Sequence, residues 1–179
     1  MTEVGLNYGQ ALYTLARDEG LSREILEQLQ VLQQSFSQEP DFLRLLAAPD
    51  FSKQERCQIL EDCLRDNVHP YVLNFLKILT EEGAVKAFGS CVKAYVAQYN
   101  QDNGILPVLA VTAVALTAEQ QMRLQEKLQQ VTGKTVQLQN RVDPGCLGGV
   151  RLDFDGKRVD GTVQNRLETL RRQLNNTVL

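Results

Sequence analysis

The chain has 179 residues, 43% of them apolar and 23% charged, the composition of an ordinary globular protein. Its formal charge of −3 hides an asymmetry: residues 1–103 carry nine Lys/Arg against fifteen Asp/Glu, and residues 104–179 carry ten against seven. A net of −6 followed by a net of +3 points to two domains facing different partners, and neither sign is strong enough to argue nucleic acid. Met1 to Val4 offer no basic and no apolar segment of a secretory signal. The longest apolar run, Ile105 to Leu116, falls far short of the ~20 residues that span a bilayer, so membrane association has to come through partners. Cys57, Cys63, Cys91 and Cys146 lack Cys-x-x-Cys spacing and companion histidines, and read as reduced thiols.

The first hundred residues predict helices in series. Tyr8, Leu12 and Leu15 share a helical face with Ala11 beside them, and Gly20 stops that segment. Ser22 is placed to cap a second helix, in which Ile25, Leu29, Leu32 and Phe36 recur at intervals of four, three and four. A short third helix holds Phe42, Leu45 and Leu46. Ser52 with Glu55 forms a capping box for a fourth, bearing Ile59, Leu60, Cys63 and Leu64. Pro70 starts a fifth, apolar nearly all round, and a sixth after Gly83 places Val85, Phe88, Val92, Tyr95 and Tyr99 on one face. No face alternates with period two, so residues 1–103 predict a six-helix bundle.

At Gln101 to Gly104 the period breaks, which marks a domain boundary. Val108 to Val114 then read as a strand buried on both faces. Thr117 and Gln120 cap a helix carrying Leu124, Leu128 and Val131, closed by Gly133. Val136, Leu138 and Val142 alternate with polar residues as a second strand, and Val150, Leu152 and Phe154 as a third. Asp155-Gly156 supplies a tight turn, and Thr162 is placed to cap a last helix striped by Val163, Leu167, Leu170 and Leu174. Residues 104–179 thus predict a small mixed α/β domain, and the chain as a whole an α+β fold.

Features that mimic catalytic chemistry fail on inspection. Gly133-Lys134-Thr135 looks like the tail of a phosphate loop, but Leu128 stands where the earlier glycine belongs, and the segment leaves a helix instead of entering one. Asp153, Asp155 and Asp160 have no histidine beside them, and their turn chemistry accounts for two of the three. Asp153 and Asp155 are expected on the solvent face of their strand. His69, the only histidine, sits before Pro70 as a helix cap. No catalytic, cofactor or metal site is predicted.

The closing stretch carries a resemblance. Gly148-Gly149 leads into a strand, and Asp160-Gly161-Thr162-Val163 with Arg166, Leu167 and Leu170 opens a helix. This strand-turn-helix unit resembles the signature of the delta (OSCP) subunits of rotary ATP synthases. The opening Tyr8 to Ala16 is similar to that family's first helix, with Gly9 where alanine is usual. The resemblance implies a non-catalytic stator subunit, on the cytoplasmic side of the membrane, that ties the catalytic head to the peripheral stalk. It implies that residues 1–103 bind the amphipathic N-terminal helix of an alpha subunit around Tyr8, Ala11, Leu15, Asn74 and Ile78. Residues 104–179 are then expected to meet the b subunits of the stalk. The alternative is a nucleic-acid-binding module using the basic C-terminal helix, against which the acidic first domain and the pI near 5.3 speak.

Overall fold

The computed structural model describes residues 3–48, 50–146, 148–163 and 165. Helices α1 (Glu3–Asp18), α2 (Ser22–Gln38), α3 (Pro40–Leu46), α4 (Lys53–Leu64), α5 (Pro70–Glu81) and α6 (Phe88–Asp102) come first. Strand β1 (Ile105–Thr112), helix α7 (Ala118–Thr132) and strands β2 (Thr135–Val142), β3 (Val150–Phe154) and β4 (Lys157–Asp160) follow. Among the described residues this is an α+β fold of seven α-helices and one four-stranded mixed sheet. By compactness the chain divides into Met1–Tyr99 and Asn100–Leu179, so the last turn of α6 crosses the division.

The first unit is organised by helix faces. In α2 the buried residues are Ile25, Leu29, Leu32 and Phe36, the stripe that the spacing predicts. Helix α5 buries Val72, Leu73, Phe75, Leu76 and Leu79 along one broad face, all of them part of the core. Capping follows local chemistry: Ser52 and Glu55 close the capping box on α4, and His69 Nδ1 accepts the Tyr71 N–H at 3.2 Å above Pro70. Ser22 is not a cap, because it already lies in α2; Leu21 holds the cap position and makes no side-chain bond. The buried face of α1 is also rotated from the expected one. It runs through Gly5, Gly9, Leu12, Tyr13 and Ala16, leaving Tyr8 half-buried and Leu15 43% exposed. Tyr13 makes an edge contact with Tyr95, whose hydroxyl donates to the Ser22 carbonyl at 2.9 Å.

The second unit is a sheet in the order β2-β1-β3-β4. β1 and β2 are parallel, joined through α7, while β1–β3 and β3–β4 are antiparallel. β1 begins three residues before the expected Val108 and includes Pro107. Proline is tolerated there because β3 pairs with β1 only from Leu109 to Thr112, leaving one side of β1 unpaired at Pro107. Val114 lies beyond the strand and is 73% exposed. β4 corrects the expectation of a direct passage from turn to helix: Asp155 (φ 49°) and Gly156 (φ 70°) form a two-residue hairpin turn, and Lys157–Asp160 pairs back on β3. Val142 is exposed instead of inward. Asn140 takes the inward polar place near it, donating to the Ala110 carbonyl and to Thr112 Oγ1 and accepting the Leu116 N–H, at 2.9–3.0 Å. The core of this unit is Leu106, Val108 and Val136, with Leu128, Leu138, Leu152 and Phe154 packed against it.

Candidate functional site

The five groove positions that the resemblance implies come together. Tyr8, Ala11 and Leu15 of α1 and Asn74 and Ile78 of α5 line one hollow of about 440 Å³, with Leu12, Tyr71 and Phe75 completing its walls. The spacing of eight, eleven and fifteen along α1 gives one outward stripe, and seventy-one, seventy-four and seventy-eight along α5 gives another. Leu15 and Ile78 are 43% and 45% exposed, large apolar surface that the fold itself leaves uncovered. Ala11 is exposed and short, so the groove stays open at its middle. Tyr71 and Phe75 were legible only as core; the signal for them was the same helical spacing as Asn74 and Ile78.

A second hollow, of about 360 Å³, lies between α2 and α4 and is lined by Val31, Leu32, Leu64 and Val68 with Gln28 and Asn67. Nothing in the sequence reading singled it out, since Val31 stands outside the buried stripe of α2. In the second unit a shallow cleft of about 590 Å³ crosses the sheet past Gln137, Leu109, Asp153 and Arg158.

The carboxylates of β3 and β4 are structural. Asp153 lies, as expected, on the face opposite the core residues Leu152 and Phe154, and there it is paired: it accepts from Arg158 Nε at 2.8 Å and lies 3.6 Å from Arg151 Nε. The bond from Arg158 holds the Asp153 carboxyl below the usual range. Asp155 sits in the hairpin turn, outside the strand. Among the described residues no cluster of His, Cys, Asp and Glu can hold a metal ion. Cys91 is buried, which pushes its thiol up to about 11, the opposite of a reactive cysteine.

The signature residues form a tight local lock. Asp160 accepts the Thr162 N–H at 2.9 Å and its hydroxyl at 2.7 Å, and these two bonds hold the Asp160 carboxyl below its ordinary range. Thr162 Oγ1 in turn accepts the Asn165 N–H at 3.3 Å, the N-cap geometry that the sequence predicts. The Gly161 N–H donates to the Val150 carbonyl, and the Val163 N–H to that of Gly148. Gly149 has φ 83°, and a Cβ there would lie 2.6 Å from the Gly161 carbonyl oxygen, so two backbones touch where both residues are glycine. Arg166, Leu167 and Leu170 lie outside the described residues.

A model of the family described as ATP synthase delta (OSCP) subunit matches residues 4–174. The ATP synthase subunit delta of Alkaliphilus oremlandii is 34% identical over 171 residues, covering 96% of this chain and 95% of the relative. That of Lactobacillus gasseri is 32% identical over 173 residues, covering 96% and 94%. A chain of the mitochondrial ATP synthase hexamer of Toxoplasma gondii shares the fold, with a TM-score of 0.78 at 19% identity over 97% of this chain and 98% of that one. On the match across nearly its whole length, the chain belongs to the ATP synthase delta (OSCP) subunit family.

Proposed function

We propose that this chain ties the catalytic head of the synthase to its peripheral stalk, so that the head does not turn with the rotor. Membership of the family makes it a non-catalytic stator component of an F-type ATP synthase. No described helix is long and apolar enough to cross a membrane, which agrees with a peripheral place in the complex. In our reading residues 1–103 act as a six-helix bundle that receives the amphipathic N-terminal helix of an alpha subunit. Residues 104–179 meet the b subunits of the stalk, on the cytoplasmic side of the membrane.

The observation that carries this reading is the groove between α1 and α5. It is open, apolar and lined by Tyr8, Ala11, Leu15, Asn74 and Ile78. Helix-in-groove binding resists torque through apolar contact area and needs no chemistry. The test is a titration of the full chain with a labelled peptide of the alpha subunit's N-terminal sequence. Ala11→Arg places a charge in the open middle of the groove and should weaken binding at least about tenfold, or ~1.4 kcal/mol. Stability should hardly change, because Ala11 is exposed. Equal affinities for the two proteins would move the contact to another face.

A further inference from the structure

Both walls of the groove end in the same way. The Glu19 N–H donates to the Leu15 carbonyl at 3.2 Å, and the Glu82 N–H to that of Ile78 at 3.0 Å. Each glutamate therefore stands in helical register one turn beyond the last groove residue of its helix. Residues 3–19 and 70–82, which make the two walls, carry five carboxylates against two cations. Both cations are engaged: Lys77 meets Glu61 of α4 at 2.6 Å, and Arg17 meets Asp18 at 3.1 Å. Glu81 turns away from the groove, its carboxylate 3.8 Å from Cys57 Sγ.

The glutamates also sit at the wrong pole of their helices for the chain's own stability. A helix C-terminus carries negative partial charge and favours cations, yet the last turn of α5 has no basic residue and Glu82 is its C-cap. Glu19 and Glu82 are exposed and form no ion pair among the described residues. Carboxylates that oppose the helix ends in the free chain are matched if the visiting helix brings positive charge to them. A second copy of this chain would bring more carboxylate to the same place and is disfavoured as the occupant.

We propose that the helix received by the α1–α5 groove is a basic amphipathic one, whose apolar face lies between Leu15 and Ile78 and whose Lys or Arg side chains pair with Glu19 and Glu82. The inference rests on the groove reading above and adds the partner's charge. Its test uses the full chain, the labelled alpha N-terminal peptide, and the same peptide with every Lys and Arg replaced by Gln. The double variant Glu19→Gln/Glu82→Gln should bind the native peptide about threefold to fivefold more weakly at low salt, the scale of exposed ion pairs. That difference should vanish near 1 M salt, where screening acts within about 3 Å. The melting temperature of the double variant should stay level or rise, opposite in sign to the loss of binding. If at low salt the double variant binds as tightly as the parent, or the Gln peptide as tightly as the native one, the basic helix is refuted while the groove stands. If neither peptide binds the parent, the groove reading falls and takes this inference with it.

Discussion

Gly9 shows how a single position inverts a propensity argument. As a glycine inside a helix it costs about 1 kcal/mol relative to alanine, and on sequence grounds it is only a departure from the family's first helix. In the folded chain a Cβ at Gly9 would lie 2.3 Å from the Cys91 carbonyl oxygen and 2.8 Å from Ala94 Cβ. The glycine lets α1 touch α6. Gly9→Ala should therefore destabilise by about 1 kcal/mol or more, since overpacking costs about 1–3 kcal/mol and exceeds the propensity gain; urea denaturation reads the sign, and a stabilised variant would show that the helices separate freely. The second unit offers a ranking of the same kind. Gly149 combines φ 83° with a close approach, whereas Gly161 lacks positive φ and meets only the Val150 carbonyl oxygen, at 3.1 Å. The strained conformation thus belongs to Gly149, and Gly161 is restricted by proximity. Gly149→Ala should cost about 1–3 kcal/mol and more than Gly161→Ala, measured by thermal unfolding. Neither restriction was legible in sequence, because both depend on a backbone brought close by tertiary structure.

At the scale of elements, the sequence speaks clearly wherever a side chain bonds its own neighbourhood. The capping boxes of Ser52–Glu55 and Thr117–Gln120, the left-handed Gly133 after α7 and the Thr162 cap all follow from residues within four positions. β4 was missed although its signal was present, since Asp155-Gly156 is a hairpin turn and a hairpin needs a returning strand. Four residues with one exposed valine gave too little alternation to weigh against the helix expected after Thr162. The turn that leaves β4 also makes an acid-sensitive element. Asp160 accepts two bonds from Thr162, which lowers its folded pKa below the unfolded value near 3.9. A depressed carboxylate stabilises above the unfolded pKa, and the contribution is lost as pH falls through the folded pKa. Asp160→Asn keeps an acceptor oxygen but has no charge to lose. The stability gap between parent and variant should be widest near neutral pH and close below about pH 4. Thermal melts across that range check it, and a gap that persists in acid would separate Asp160 from the effect.

The whole molecule adds what neither residues nor elements disclose. Helical periodicity stops at Asn103, whereas compactness divides the chain at Tyr99–Asn100, inside the last turn of α6. A period marks where a helix ends; a division by compactness marks where the neighbours change, which no local pattern records. The groove positions were implied by the resemblance and agree with a fifth helix that is apolar nearly all round, while the α2–α4 hollow is made by the meeting of two helices, and its one trace in α2, Val31 at 64% exposure, reads in sequence as a stray apolar residue. The two units also differ in core. Among the described residues the first unit buries twenty apolar residues and the second six. Burial drives stability roughly in proportion to apolar area, so the second unit should unfold at lower denaturant. The chain contains its own reporter: it has no tryptophan, and its five tyrosines, Tyr8, Tyr13, Tyr71, Tyr95 and Tyr99, all lie in the first unit. Tyrosine fluorescence should therefore report a later urea transition than far-ultraviolet circular dichroism, which sees both units. Gly149→Ala should move the early part of the dichroism curve and leave the fluorescence curve in place, and Gly9→Ala should shift the fluorescence midpoint. Coincident curves that move together in both variants would mean that the units unfold as one cooperative body.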